Sequence, residues 1–295
     1  MARTDQLNGS ATGRPAAPAG EPPVVAPITA SPSIDRSRHT WYHTIDLPDG
    51  SCTPGWYDTR PVAERVPWPP RLRGGRCLDV GTFDGFWAFE MERRGASEVV
   101  AVDLDDPSRL DWPYDQRAKG LELIAQWGSK RGPGFTEAAL ALRSSVVRRD
   151  CSVYDLSPEH LGQFDVVVCG ALLLHLRDPV LALERMRAVC RGTLILVESL
   201  DPRLELVAPT MPAAYLHPTT DEWWVVNSRG LMAMTEVAGF RVVDSGRRFL
   251  VGYGPGGPDH RSLPLLGGLA ARRPGRRGLL HRIVVAEPRP PHPDR

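Results

Sequence analysis

From Arg76 onward the chain alternates short, β-branched apolar runs with stretches in which apolar positions recur every three or four residues. That alternation predicts βαβ units and a mostly parallel sheet, since parallel strands are covered by helices on both faces and read as unbroken apolar runs. Strands are expected at Cys77 to Val80, Val99 to Val102, Val146 to Arg149, Phe164 to Cys169 and Thr193 to Val197, with two more at Arg241 to Val243 and Arg282 to Ala286. Helices are expected near 84–95, 115–128 and 178–190 and from Ser228 to Ala238. Pro179 suits a first helical turn and Gly239 a left-handed stop. The fold class is therefore doubly wound α/β.

Residues 1–36 are Ala, Pro, Gly, Ser and Thr with scattered charge, too little apolar surface to offset chain entropy, and are expected to form a disordered tail. The Pro-rich residues 289–295 are expected to form a second tail. Between the first tail and the sheet, 37–70 carry Trp41, Tyr42, Trp56, Tyr57 and Trp68 among Pro and Gly and read as an aromatic N-terminal cap. The main domain is expected over 71–288, with a lid segment at about 200–227. A loop at about 252–278 is longer than an ordinary connection and should project.

Composition narrows the partners. With 295 residues and 42% hydrophobic content the chain can bury one large core. The net charge of +1 offers no general attraction to nucleic acid or anionic membrane and favours a small, weakly charged substrate. Nucleic acid is disfavoured, though Arg272, Arg273, Arg276 and Arg277 form a local basic cluster that reads first as a solvated loop. The five cysteines form no C-x-x-C pair, and four of them lie in apolar runs, which suits reduced thiols and a cytoplasmic protein. No run of some 18 apolar residues marks a membrane span, and no His, Asp or Glu spacing matches a metal ligand set. Nothing in the sequence fixes an oligomeric state.

The chemistry concentrates after the first strand. There Asp79-Val80-Gly81-Thr82-Phe83-Asp84-Gly85 leads from an apolar run into a helix. Glycine lets the backbone approach a ligand closely, and the helix start offers unpaired amides and a positive dipole end. The acid two residues before the first glycine and the G-x-x-x-G spacing differ from the G-x-G-x-x-G of nicotinamide and flavin sites. Asp103, ending the second strand 18 residues beyond Gly85, can accept hydrogen bonds from ribose hydroxyls; otherwise it caps a turn with Asp105 and Asp106.

This turn resembles motif I of the class I S-adenosylmethionine methyltransferases, D-x-G-x-G-x-G, with Phe83 in place of the middle glycine. The run Phe164-Asp165-Val166-Val167, followed by Leu174-His175, resembles the fourth motif of that family in sequence and spacing. The resemblance covers 76 to about 199 and extends weakly through Thr220 to Phe240. It implies a Rossmann-like, mostly parallel seven-stranded sheet with an antiparallel last strand, S-adenosyl-L-methionine as cofactor and S-adenosyl-L-homocysteine as product. It places Asp79, Gly81, Thr82, Phe83, Gly85 and Phe86 against the cofactor, together with Asp103 and Leu104. Ser152 and Val153 join them at the third strand end, with Asp150 as the alternative to Ser152. Gly170 and Ala171 lie at the fourth, where ligands bind in such sheets. The cap and the Leu-His pair look most like the branch that carboxymethylates wobble uridine in tRNA, which puts Trp56 beside the sulfonium or the substrate. In the competing reading Trp41, Trp56 and Trp68 are core anchors of the cap.

Methyl transfer from a sulfonium is an in-line displacement with a neutral leaving group, so positioning supplies much of the rate and a base matters only when the nucleophile must lose a proton. His175 is the first candidate base and His217 the second; His175 as a packed structural histidine is the plainer alternative. Trp223, Trp224 and Asn227 are candidates for an aromatic, hydrogen-bonding substrate wall. The leading expectation is an O- or N-methyltransferase acting on a small molecule of secondary metabolism. A tRNA-modifying methyl or carboxymethyl transferase and a non-catalytic cofactor-binding scaffold are the alternatives.

Overall fold

The computed structural model describes residues 40–126, 132–217, 222–257 and 278–290. In chain order come β1 (Tyr57–Asp58), α1 (Arg60–Ala63), β2 (Arg76–Val80), α2 (Phe86–Arg93), β3 (Glu98–Asp103), α3 (Arg117–Gln126), α4 (Pro133–Leu142), β4 (Val147–Asp150), α5 (Pro158–Leu161) and β5 (Phe164–Gly170). There follow α6 (Pro179–Val189), β6 (Cys190–Ser199), α7 (Pro202–Val207), β7 (Ala214–Leu216), β8 (Trp224–Val226), α8 (Ser228–Val237), β9 (Phe240–Ser245), β10 (Phe249–Tyr253) and β11 (Gly278–Pro288).

The main sheet runs β1-β10-β11-β6-β5-β2-β3-β4, with β9 also on β11. Strands β4, β3, β2, β5 and β6 are mutually parallel, and β11 is antiparallel to β6. The winding reverses between β2 and β5, so the carboxyl ends of those two strands flank the crevice where ligands bind in open α/β sheets.

Among the described residues the sheet has nine strands rather than seven. The eleven-residue β11 is long enough to pair β10 along its first half and β9 along its second. Strand β10 is masked in the sequence by the Gly-Pro run that follows it, so Gly252 and Tyr253 belong to the sheet and not to a projecting loop. Two-residue β1 has no periodicity to read, and the Pro133-Gly134 start hides the ten-residue α4. Residues 1–36, 258–277 (with Arg272 to Arg277), 291–295 and lid positions 218–221 lie outside the described residues.

Alternation along the strands builds two cores. Leu78, Val80, Val100, Val102, Val167, Leu194 and Leu196 face α6 and α8. Cys77, Val99, Ala101, Val166, Val168 and Ile195 face α2 and the cap residues Trp41 and Ile45. Each fully buried side chain of this size contributes roughly 1.5–3 kcal/mol. Trp41 is 1% exposed and anchors the second core, whereas Trp56 is 40% exposed. The helix starts follow local chemistry: Asp178 accepts from the Leu181 amide at 2.9 Å ahead of Pro179, and Gly239 takes φ 92° just past α8.

His281 on β11 is buried, its ring stacks on Phe249 at 6.4 Å, and Nδ1 donates to the Leu279 carbonyl at 3.0 Å. Burial pushes the imidazole down to about 4, so the folded protein keeps it neutral while the unfolded chain binds a proton below about 6.5. Its contribution is therefore intact above pH 6.5 and lost as pH falls toward 4. In urea denaturation, wild type is expected to lose up to about 3 kcal/mol more than His281→Phe across that window. Equal losses would show that the imidazole is not held neutral.

Candidate cofactor and active site

Strand β2 is buried on both faces, so the chain must leave it through backbone that needs little side-chain room. Gly81 does this at φ 76°, where a Cβ would come within 3.0 Å of the Leu172 side chain. The Gly81 and Thr82 amides donate to the Val102 carbonyl at 2.9 and 3.1 Å. Gly85 precedes α2 at φ 97°, with the Phe89 ring 2.4 Å from where a Cβ would stand. Phe83 takes φ 47° without being glycine, so the backbone keeps a glycine-like path despite the substitution. Its amide donates to Asp103 Oδ2 at 2.8 Å, and the Leu104 amide donates to Oδ1 at 2.7 Å.

Two more aspartates fasten the loop. Asp79 is 1% exposed and accepts from the Ala88 amide at 3.1 Å, doing for α2 what Gly85 has no side chain to do. Burial pushes the Asp79 carboxyl up to about 7, against the lowering effects of Thr82, His43 and the Ala88 amide. Asp84, equally buried, accepts the Tyr42 and His43 amides on Oδ2 at 2.8 and 2.7 Å and pairs through Oδ1 with His43 Nδ1. The His43 ring stacks on Phe86 at 5.3 Å, and the Tyr42 ring stands 5.8 Å from that of Phe83. The aromatic contact to Phe83 thus comes from Tyr42, while Trp56 lies half open to solvent. Nothing in the sequence pattern marks Asp84 or His43, because an aspartate inside a glycine turn reads as a turn former.

At the neighbouring strand ends, Ser152 Oγ accepts the Tyr154 amide at 3.3 Å and opens a 3₁₀ turn that buries Val153. Asp150 is held by Arg109 at 2.9 Å and by the Asp105 amide at 3.2 Å. Gly170 lies where a Cβ would meet Trp87 Nε1 at 2.5 Å, and Ala171 takes φ 51° with its amide on the Val197 carbonyl at 2.9 Å. The crevice therefore gathers Asp79, Gly81, Asp103, Gly170 and Ala171 on adjacent strand ends. A carboxylate acceptor at Asp103, the amide donors at the start of α2 and the glycine-shaped floor are the features that a ribose-bearing zwitterion needs, and they fit S-adenosylmethionine.

His175 ends a 3₁₀ turn, Leu173–His175, directly after β5 and is half-buried. Glu198, 2% exposed at the end of β6, holds that turn by accepting the Leu172 and Leu173 amides at 3.1 and 3.3 Å. From the other side, the Trp223 amide donates to the Leu174 carbonyl at 2.7 Å. His217 is exposed on the β7–β8 hairpin and pairs with Glu222 at 3.3 Å.

The expectation that Asn227 hydrogen-bonds a substrate is corrected. Its Oδ1 accepts from the Gly230 and Ala213 amides and its Nδ2 donates to the Ala208 and Met211 carbonyls, so its capacity is committed to capping α8 and bracing the segment 208–213. The Trp223 and Trp224 indoles likewise donate to the carbonyls of Asp111 and Arg177, at 2.7 and 3.1 Å, leaving only ring faces to offer. Asp111 was not legible as a hub: its carboxylate also takes the Tyr154 hydroxyl at 2.6 Å and the Arg177 amide at 2.8 Å. An open depression of about 510 Å³ lies at the carboxyl end of β4, lined by Arg109, Arg149, Asp150, Cys151 and His160 among others, with Asp150 the register partner of Asp103. Among the described residues no cluster of His, Cys, Asp and Glu is set to hold a metal, and no helix is long and apolar enough to cross a membrane.

Residues 59–245, more than half of the chain, match the model of a family described as a methyltransferase domain. The chain is 34% identical over 139 residues to the ubiquinone biosynthesis O-methyltransferase of Xanthomonas campestris, covering 46% of each. It is 31% identical over 108 residues to the protein of the same name from Psychrobacter cryohalolentis, covering 37% of this chain and 34% of that one. The match thus spans less than half the length of these curated relatives. A solved 1,6-didemethyltoxoflavin-N1-methyltransferase of Burkholderia thailandensis aligns with a TM-score of 0.45 at 17% identity, over 79% of this chain and 78% of that one.

Two substitutions probe the framework. Asp84→Ala strands one buried and one part-buried backbone amide and is expected to lower stability by about 1–3 kcal/mol, read by urea denaturation. Burial pushes the Glu198 carboxyl up to about 7, so its share of stability is present below pH 4.5 and lost as pH rises to 7. Glu198→Gln escapes that loss, and its stability relative to wild type should climb by up to about 3 kcal/mol between pH 4.5 and 7. A difference that stays flat across the window would overturn the assignment.

Proposed function

The chain belongs to the methyltransferase-domain family within the class I S-adenosylmethionine-dependent superfamily, and from that premise we propose that it methylates an oxygen of a small organic acceptor. The observation that carries the reading is the Asp103 carboxylate, fixed by the Phe83 and Leu104 amides at the mouth of the crevice. Held there at the end of β3, the carboxylate is positioned where a ribose would sit, and its fixed orientation costs no reorganisation on binding. S-adenosylmethionine supplies, when bound, a methyl group on a sulfonium whose departure needs no acid. The chain then has three tasks: to seat the cofactor on the Gly81 to Gly85 loop, to hold the acceptor in line, and to take its proton.

We assign the proton to the His175 imidazole, which the Glu198-anchored turn presents after β5, at the same crevice edge as Gly170 and Ala171. His217, exposed and paired with Glu222, is better placed as a hairpin surface residue than as a base. The names of the curated relatives support an oxygen nucleophile over nitrogen. A small metabolite suits the near-neutral charge, and the five free cysteines suit a cytoplasmic setting.

S-adenosylhomocysteine at a thousandfold excess over its Kd should stabilise the protein by about 4 kcal/mol, several degrees of melting temperature, while NAD should leave it unmoved. Asp103→Ala should abolish that shift. His175→Ala should keep the shift but lower S-adenosylhomocysteine release by roughly 10²–10⁴-fold on any phenolic acceptor that wild type methylates. Stabilisation by NAD instead would sink the reading, and full turnover in His175→Ala would remove the base.

A further inference from the structure

The loops after β3, β4 and β5 and the segment before β8 are joined by one residue, Asp111. Its Oδ2 accepts the Tyr154 hydroxyl at 2.6 Å and the Arg177 amide at 2.8 Å. Its backbone carbonyl accepts the indole of Trp223, 112 residues away in the chain, at 2.7 Å. The Tyr154 hydroxyl in turn accepts the Asp178 amide at 3.1 Å. Burial, and after it the Asp111 hydrogen bond, push the Tyr154 phenol above its ordinary value, so it stays protonated and keeps donating. Asp111 is itself held by its neighbour: Trp112 is 6% exposed, and its indole donates to the Pro107 carbonyl at 2.8 Å.

These bonds bracket His175. Before it, Glu198 takes the Leu172 and Leu173 amides and the Trp223 amide takes the Leu174 carbonyl. After it, Arg177 gives its amide to Asp111 and its carbonyl to the Trp224 indole, while its guanidinium lies 5.3 Å over the Trp223 ring. The turn needs this second set of bonds. A single 3₁₀ turn has poor hydrogen-bond geometry of its own, and the Leu176 amide reaches the Leu173 carbonyl only at 3.3 Å. Arg177 is exposed, so without a strong acceptor its amide would turn to water; a carboxylate is the stronger kind.

We propose that Asp111 is a positioning residue for His175, fixing the exit of the turn as Glu198 fixes its entry. Catalytic geometry tolerates little drift, and a group carried on a short turn keeps its place only when both ends are tied down. That the positioned imidazole serves methyl transfer rests on the reading above.

The test uses the full chain and follows His175 by two routes. In the first, diethyl pyrocarbonate modifies histidine rings and mass spectrometry follows each ring separately, with no acceptor required. Asp111→Ala should raise the His175 rate by about fivefold or more while exposed His160 keeps its rate and buried His43 and His281 stay protected. General loosening of the fold would release His43 and His281 as well. Asp111→Asn, whose amide oxygen can still accept both donors, should restore the wild-type rate. Tyr154→Phe, the milder change, should move His175 in the same direction by a smaller factor. In the second route, on a phenolic acceptor that wild type methylates, Asp111→Ala should lower kcat roughly 10- to 100-fold with KM and S-adenosylhomocysteine affinity within about twofold. In a His175→Ala background the same substitution should cost less than about twofold, because the imidazole it acts through is gone. A His175 rate unchanged in both Asp111→Ala and Tyr154→Phe, release of His43 and His281 alongside it, or full additivity of the two alanine substitutions in kcat would overturn the proposal. Selective release of His175 in a chain that binds no S-adenosylhomocysteine would uphold the hold of Asp111 on the turn and bring down the methyl-transfer reading instead.

Discussion

The whole site depends on how the backbone amides just beyond β2 find acceptors. A strand buried on both faces delivers the chain into surroundings with little water, where a donor left unpaired costs roughly 1–3 kcal/mol. Aspartates supply much of what neighbouring strands cannot. Asp79 takes the Ala88 amide, Asp103 takes those of Phe83 and Leu104, and Asp84 takes those of Tyr42 and His43. Cap, glycine loop, α2 and the end of β3 are tied into one unit by five backbone donors on three carboxyl groups.

Strand parity decides what each acid serves. Asp79 and Asp103 continue the side-chain phase that faces α2 and the cap, while Glu198 continues the phase that faces α6. Acids of the first phase therefore shape the cofactor loop, and the acid of the second holds the turn that carries His175. The arrangement has an electrostatic cost. Burial raises both Asp79 and Glu198 to about 7, so near neutrality each is poised between charged and neutral forms. Amide donors favour the charged form of each, and the loop and the His175 turn are coupled to pH through this balance.

Much of this was legible because it follows from apolar runs. The strands β2, β3, β5 and β6 are continuous hydrophobic segments, and Asp103, Gly170 and Ala171 are found simply by asking where those segments stop. What was not legible depends on partners distant in sequence. Strand β10 is an apolar run whose meaning comes from β11, across residues 254–277. Asp84 looks like any turn aspartate until the cap returns 41 and 42 residues away to use both its oxygens. Asn227 read as a polar lining residue because a sequence does not reveal that four backbone groups have already claimed its side chain. Trp223 and Trp224 are the same case: their rings suit a substrate wall, but their indole donors are fastened to the loops after β3 and β5.

Phe83 shows why a broken motif can still build its loop. A glycine series works by permitting left-handed backbone, and a side chain there strains the chain unless surrounding contacts over-determine its conformation. Here two contacts do so: the Asp103 carboxylate fixes the Phe83 amide from one side and the Tyr42 ring meets the Phe83 ring from the other. Tyr42 is itself positioned by Asp84, one residue along the same loop. The loop thus recruits the cap through Asp84, and the cap supports the residue that departs from the glycine pattern. Losing a glycine is tolerable at this position because the acid that ends β3 and the acid that anchors the cap are both in place, so Phe83, Asp84 and Asp103 act as one unit rather than three separate residues.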